Sequence, residues 1–203
     1  KALILCGPPG MSKTYMVRRN LHFSDLKPGK DYIIAKGSSL GIAETYSLLY
    51  KYKDKLLILD DFDTPLRDEN IINMLKAVTD SYSVRILSYP REKVVSSGQN
   101  QNMVDAPDKF QFSGRLIIIT NMKKNKIDRA LLSRAPAIEV KFNTEEVLEN
   151  ITKMMKYINP DIPIEIKQEV FDYILKLKEE KPNIVLDFRG FTSAVEARYC
   201  IPE

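Results

Sequence analysis

The sequence predicts an α/β fold: a five-stranded parallel sheet flanked by helices, followed by a small all-helical segment. Three observations carry this. Up to Phe142, short apolar runs alternate with helix-like stretches, the βαβ rhythm of a parallel sheet. Several of these runs are almost unbroken in apolar residues, as strands buried on both faces are. Beyond Phe142 the strand signal stops and only helical patterns remain.

Taken in order, residues 2–6 (ALILC) form the first strand and residues 13–20 a helix. Residues 32–35 and 56–59 are the next two strands, each followed by a helix, at 40–53 and 69–81. Residues 116–120 and 137–140 complete the sheet. Between the last helix and the fourth strand lies a polar, turn-rich stretch, residues 88–114, preceded by RILSY and containing KFQF. It is read as a β-hairpin with a mobile tip; a loop of this length is otherwise functional or disordered. Thr144 is placed to cap a helix reaching Tyr157, with Glu145 and Glu146 in its first turn, where acidic groups favour the helix dipole. NPDIPIE breaks that helix, a second runs over 164–180, and KPN separates it from a third in DFRGFTSAVEARY. The division expected is an α/β domain at 1–143 and a helical lid at 144–203.

With 203 residues, 44% hydrophobic and 29% charged, the chain has the composition of a globular protein with a sizeable core. A net charge of +4 permits a nucleic-acid partner without requiring one. Cys6 and Cys200 lie too far apart for a metal-type or disulfide framework, which points to a reducing, cytoplasmic setting. The single histidine, His22, excludes histidine-cluster metal sites and histidine-based triads. No apolar run approaches the roughly 18 residues that span a bilayer, and no signal-peptide pattern is present. The chain opens almost directly on a strand without an initiator Met, so it is expected to begin inside a longer protein.

The octet GPPGMSKT, residues 7–14, follows the first strand and opens a helix. In that context a glycine-rich turn aims several backbone N–H groups at one anion, and the helix N-terminus adds its dipole. Gly7, Pro8, Pro9, Gly10, Met11 and Ser12 form the loop. Lys13 is placed to reach the outer phosphates and Thr14 to hold Mg²⁺. Ser12 stands where the pattern expects a second glycine; it is expected to adopt the helical geometry at the start of the following helix and still offer its N–H. The third strand ends in LLILDDFD. A carboxylate at the carboxyl end of a parallel strand points into the crevice where such sheets bind ligands, so Asp60 is a Mg²⁺ ligand and Asp61 the group that orients or deprotonates an attacking water. The fourth strand, in GRLIIITN, delivers Thr120 and Asn121 beside the carboxylate strand, within reach of a γ-phosphate or that water.

The order of phosphate loop, acidic strand, polar strand end, LLSRA and DFRGF resembles the AAA+ ATPase family over nearly the whole chain. Within that resemblance, Asn121 matches the sensor-1 position and Arg189 the sensor-2 position. LLSRA is similar to the serine-arginine motif of clamp loaders, which makes Arg134 an arginine finger acting on a neighbouring subunit; Arg129 is the alternative. A surface arginine at a helix C-terminus is the plainer reading of Arg134, and a lid salt bridge that of Arg189. Asp61 departs from the family, most of whose members carry Glu there, although viral superfamily 3-type helicases carry the Asp pair. The overall look is most similar to bacteriophage-encoded members. The implied cofactors are ATP and Mg²⁺, and the implied assembly is a homo-oligomeric ring, a hexamer in most of the family.

By the same resemblance, residues 36–44 (KGSSLGIAE) lie where the first pore loop falls, with Leu40 protruding and Lys36 able to touch a phosphate backbone. The alternative is an ordinary loop before a helix, capped by Ser38 or Ser39. Arg91 and Lys93 in the 88–114 stretch are candidate DNA contacts. The expected function is Mg²⁺-dependent ATP hydrolysis driving unwinding, loading or translocation of DNA. A protein remodeller, or a nucleotide switch or scaffold with weak hydrolysis, is the alternative.

Overall fold

The computed structural model describes residues 1–89, 106–184 and 186–201. The chain divides into two compact units. One comprises Lys1–Pro8 with Lys13–Val140; the other comprises Pro9–Ser12 with Lys141–Glu203.

In the first unit, β1 (Ala2–Cys6), β2 (Tyr32–Lys36), β3 (Leu56–Asp60), β6 (Arg115–Ile119) and β7 (Ala137–Glu139) form one sheet in the order β2-β3-β6-β1-β7. Every pairing in it is parallel, so all carboxyl ends emerge on one edge. Because β6 lies between β1 and β3, the segments following these three strands are neighbours in space although far apart in sequence. The helices are α1 (Lys13–Phe23), α2 (Ile42–Lys51), α3 (Glu69–Thr79) and the short α4 (Arg129–Arg134).

Alternation along the strands explains why the sheet needs cover on both faces. Leu57 and Leu59 enter one apolar cluster with Ile4, Leu116 and Ile118, together with Leu49, Leu75 and Leu131 from α2, α3 and α4. Ile58 points the other way, joining Leu5, Ile119, and Val17 and Leu21 of α1. Leu57, Ile58 and Leu59 are all fully buried. Each such side chain contributes roughly 1.5–3 kcal/mol of burial free energy, which is why an unbroken apolar run suits this strand.

Helix ends differ from expectation: α2 is shorter at both ends, α3 stops at Thr79 and the first helix of the second unit at Met154. No side chain caps α2: its N-cap is Gly41, not Ser38 or Ser39. The α1 helix runs on to Phe23. In the second unit, the first helix, α5 (Thr144–Met154), is capped by Asn143 rather than Thr144. Asn143 Oδ1 accepts from the Glu146 N–H at 2.8 Å, and the Glu146 side chain accepts from the Asn143 N–H at 2.8 Å. This reciprocal pair satisfies two orphan donors, which a Thr one residue later in the chain cannot do. A 3₁₀ turn over Met155–Tyr157 finishes the segment, and α6 (Ile164–Glu180) and α7 (Phe188–Cys200) follow.

The 88–114 stretch begins and ends in a hairpin stem. β4 (Ile86–Ser88) pairs antiparallel with β5 (Lys109–Gln111). Tyr89 N–H extends the ladder to the Asp108 carbonyl at 2.8 Å. The stem is fixed to α2: Tyr46 Oη donates to the Pro107 carbonyl at 2.6 Å, and the Tyr46 and Tyr50 rings pack on Phe110. Burial, with the nearby Asp108 charge adding to it, pushes the Tyr46 hydroxyl up to about 12, so it remains a donor at any physiological pH. The expected tip, with Arg91 and Lys93, lies outside the described residues.

Candidate functional site

The loop after β1 requires its first glycine twice over. Gly7 has φ +138°, and a Cβ there would stand 2.2 Å from the Val140 carbonyl oxygen. The Val140 N–H donates to the Cys6 carbonyl at 2.7 Å, so β1 and the chain leaving β7 pinch the loop at its root. Gly10 has φ +77° and Ser12 φ +54°. Ser12 is therefore left-handed rather than helical, which corrects the geometry expected of it. The pattern's glycine reports a backbone need, and serine meets it at a cost of roughly 1–2 kcal/mol. Pro8 and Pro9 are exposed, whereas Met11 is buried.

Lys13 is the first residue of α1 and is 6% exposed. Its Nζ donates to the Gly7 carbonyl at 2.8 Å, the Pro8 carbonyl at 2.7 Å and Asn121 Oδ1 at 2.9 Å. Asn121 follows β6, the strand between β1 and β3, and it is tied on its other side to β3. Its backbone N–H donates to Asp63 Oδ1 at 2.7 Å and its Nδ2 to Asp63 Oδ2 at 3.0 Å. Thr120, fully buried, adds an Oγ1–H to Asp63 Oδ1 at 2.7 Å.

A second set of contacts surrounds the end of β3. Thr14 Oγ1 donates to Asp60 Oδ1 at 2.7 Å, and the Asp60 carboxylate is fully buried. Lys36 Nζ donates to Asp60 Oδ2 at 2.9 Å and to Asp61 Oδ2 at 2.8 Å. The contacts to Asp61 and then Asp60 hold the Lys36 ammonium above its ordinary pKa. Asp61 stands at φ +56°, an unusual backbone for a non-glycine residue that aims its side chain away from the strand's own alternation. Strand register accounts for the lysine: Lys36 of β2 is the direct parallel partner of Asp60.

Lys36 therefore lies on the carboxylate pair rather than in a projecting loop. Leu40, expected to protrude, is half-buried and packs against the core. Arg134 closes α4, with Nη1 on the Ala130 carbonyl at 2.9 Å and Nε 3.7 Å from Asp80 Oδ2. Arg129 is exposed at the start of the same helix. Asp128 caps α4 through the Leu131 N–H at 2.8 Å and pairs with Lys76 at 3.3 Å; these contacts hold its carboxyl below the usual value, the backbone hydrogen bond most of all.

Within the second unit, the Phe188 N–H at the start of α7 donates to the Gly10 carbonyl at 3.3 Å. The Asp187 carboxylate caps α7 through the Gly190 N–H at 2.7 Å. It also lies where a Gly10 Cβ would fall, 2.2 Å from Oδ2. Arg189, in the first turn of α7, is exposed. Two polar residues that shape the first unit's cluster, Lys36 as carboxylate partner and Asp63, go unrecognised in sequence reasoning. The third acid of DDFD was the available signal for Asp63; Lys36 has none until strand order is known.

No protein-family model and no curated protein sequence matches the chain. Two solved structures of point mutants of RuvB from Thermotoga maritima do resemble it. One superposes with a TM-score of 0.53 at 12% identity, covering 97% of this chain and 62% of that one. The other gives 0.51 at 13% identity, covering 97% and 61%. The chain thus spans less than two thirds of these relatives. At such identity the likeness establishes architecture: the chain has a RuvB-like P-loop fold, with a five-stranded parallel sheet flanked by helices and further helices at the C-terminal end. Among the described residues no helix is long and apolar enough to cross a membrane.

Proposed function

We propose that this chain is a Mg²⁺-dependent ATPase of the AAA+ type, working as a ring of identical subunits in a DNA transaction. The observation that carries the reading is that the start of one helix meets two strand ends: Lys13 bonds Asn121 beyond β6, and the next residue, Thr14, bonds Asp60 at the end of β3. A strand-turn-helix with φ > 0 at Gly7, Gly10 and Ser12 is the backbone that a phosphate-cradling loop needs.

Mg²⁺ fits the donors present. Among the described residues no group of three or more His, Cys, Asp or Glu side chains is arranged around a metal position. Thr14 Oγ1 and Asp60 Oδ1, already 2.7 Å apart, are the hard oxygen pair that would hold it alongside phosphate oxygens and water. Once bound, the ion neutralises charge on the phosphates. Lys13 binds the outer phosphates, and Asp61 accepts the proton of the attacking water. Arg134 and Arg189 supply positive charge to the transferring group, Arg134 from a neighbouring subunit. The RuvB-like architecture supports the AAA+ assignment, and Arg91 and Lys93 of the polar 88–114 stretch, with the net charge of +4, are the sequence features behind the DNA role.

The test is steady-state ATP hydrolysis with and without single- and double-stranded DNA, paired with a mass measurement in the presence of nucleotide. Mg²⁺-dependent turnover by an oligomer, raised by DNA, is the expected result. Turnover raised only by a protein partner would overturn the DNA role, and nucleotide binding without turnover would make the chain a switch.

A further inference from the structure

We infer that Asp63 is a positioning residue for the nucleotide site, fixing the Asn121 amide so that its oxygen, and not its NH₂, faces the Lys13 ammonium. This rests on the ATPase reading above.

The orientation follows from donor and acceptor chemistry at both ends of one amide. A carboxylate only accepts hydrogen bonds and an ammonium only donates them. Asp63 Oδ2, 3.0 Å from one end of the Asn121 amide, therefore demands the NH₂. Lys13 Nζ, 2.9 Å from the other end, demands the oxygen. The two demands agree. Asp63 has little freedom to relax them, because its Oδ1 is held by the Thr120 hydroxyl and the Asn121 backbone N–H, each at 2.7 Å. Asp63 thus straps both the backbone and the side chain of Asn121, just beyond β6.

The role of Asn121 changes accordingly. Its NH₂ is committed to Asp63, so its contribution is an acceptor that steers Lys13, together with the Gly7 and Pro8 carbonyls, rather than a donor to phosphate or water. In this scheme Asp63 acts through the hydrogen bonds by which it holds Asn121.

Reciprocal substitution tests it. Asp63→Asn sets an NH₂ against the Asn121 NH₂, a conflict relieved only by turning the amide so that its NH₂ meets the Lys13 ammonium. Asn121→Asp sets a carboxylate against the Asp63 carboxylate. The double variant Asp63→Asn/Asn121→Asp restores a donor facing an acceptor at both contacts. Binding of a fluorescent ATP analogue, with thermal melts of every variant, is the measurement, and Lys13→Ala is the reference. Each single variant should bind about tenfold more weakly, and the double variant should return to within about threefold of the parent, the signature of direct coupling. Parent-like binding by both single variants, while Lys13→Ala fails to bind, would overturn the role of Asp63 and leave the phosphate loop standing. Weak singles with no recovery in the double would reduce Asp63 to a scaffold and equally overturn it. Undiminished binding by Lys13→Ala would instead remove the ATPase reading beneath it. Should Asp63→Asn fail to fold, Asn121→Asp with and without the second change supplies the same contrast.

Discussion

The polar groups at the sheet's carboxyl edge and the arginines assigned to the same chemistry are built in opposite ways. Lys13, Asn121, Asp63 and Thr120 form one hydrogen-bonded set and Thr14 with Asp60 another, at 2.7–3.0 Å, and Lys13, Asp60 and Thr120 are buried. Arg134 and Arg189 are exposed, and Arg134 has one carbonyl and one long ion pair for company. Buried polar groups are expensive unless satisfied, so satisfying them within one chain also fixes their geometry. An exposed arginine costs little to leave mobile, so its working geometry has to come from whatever it docks against. On this reading the phosphate-binding half of the site is complete in one subunit, while Arg134 is brought to it by assembly.

The sharpest way to break that contrast is Arg134→Ala. Turnover of the assembled protein should fall on the order of a thousandfold while nucleotide affinity stays within about twofold, because the contacts of Arg134 run to Ala130 and Asp80, outside the inner cluster. Mixing Arg134→Ala with Lys13→Ala subunits should recover turnover; a mixture that stays inactive would place the whole site within one chain. Next, Asp61→Asn should lower turnover about a hundredfold or more with binding retained; loss of binding instead would mean that Asp61 is a ligand-holding group.

Smaller effects probe the scaffold. Asp128→Ala removes the cap of α4, the helix bearing Arg134, and should cost about 1 kcal/mol of unfolding free energy near neutral pH. Since the folded-state pKa of Asp128 is depressed, this contribution is present above the unfolded carboxylate value. It fades as pH falls through the lowered folded value, so parent and variant should converge in acid denaturation series. Smallest is Ser12→Gly, which relieves a left-handed serine at the expense of a looser unfolded chain. A net gain of about 0.5 kcal/mol in a urea titration is expected, without loss of nucleotide affinity.

Much of the fold was legible because its strands are buried on both faces. Unbroken apolar runs such as LLIL announce themselves, whereas β4 and β5, three residues each, have no periodicity to read and depend on Tyr46 and Tyr50 of α2 for support. The cap of α5 was missed by one residue because Thr144 and Asn143 are both good N-caps; only the reach back from Glu146 distinguishes them. At the site, Lys13, Thr14 and Asp60 were readable from spacing, since each belongs to a contiguous motif. Lys36 was not: its meeting with Asp60 and Asp61 depends on β2 lying beside β3, which spacing alone does not reveal. Leu40 was misjudged because flanking glycines suggest projection, while a leucine so close to the sheet gains more by covering the core.

The hairpin stem carries a practical consequence. Ser88 and Lys109 are paired, Tyr89 is bonded to Asp108, and Tyr46 pins Pro107 to α2, so the chain leaves and re-enters the domain at a gap of set width. With both ends fixed in this way the stem is a port for grafting, since the entropy of closing a longer loop across it grows only slowly with size. A fluorophore-bearing or affinity-tagged insert carried by the stem would report on the domain from a fixed point of attachment.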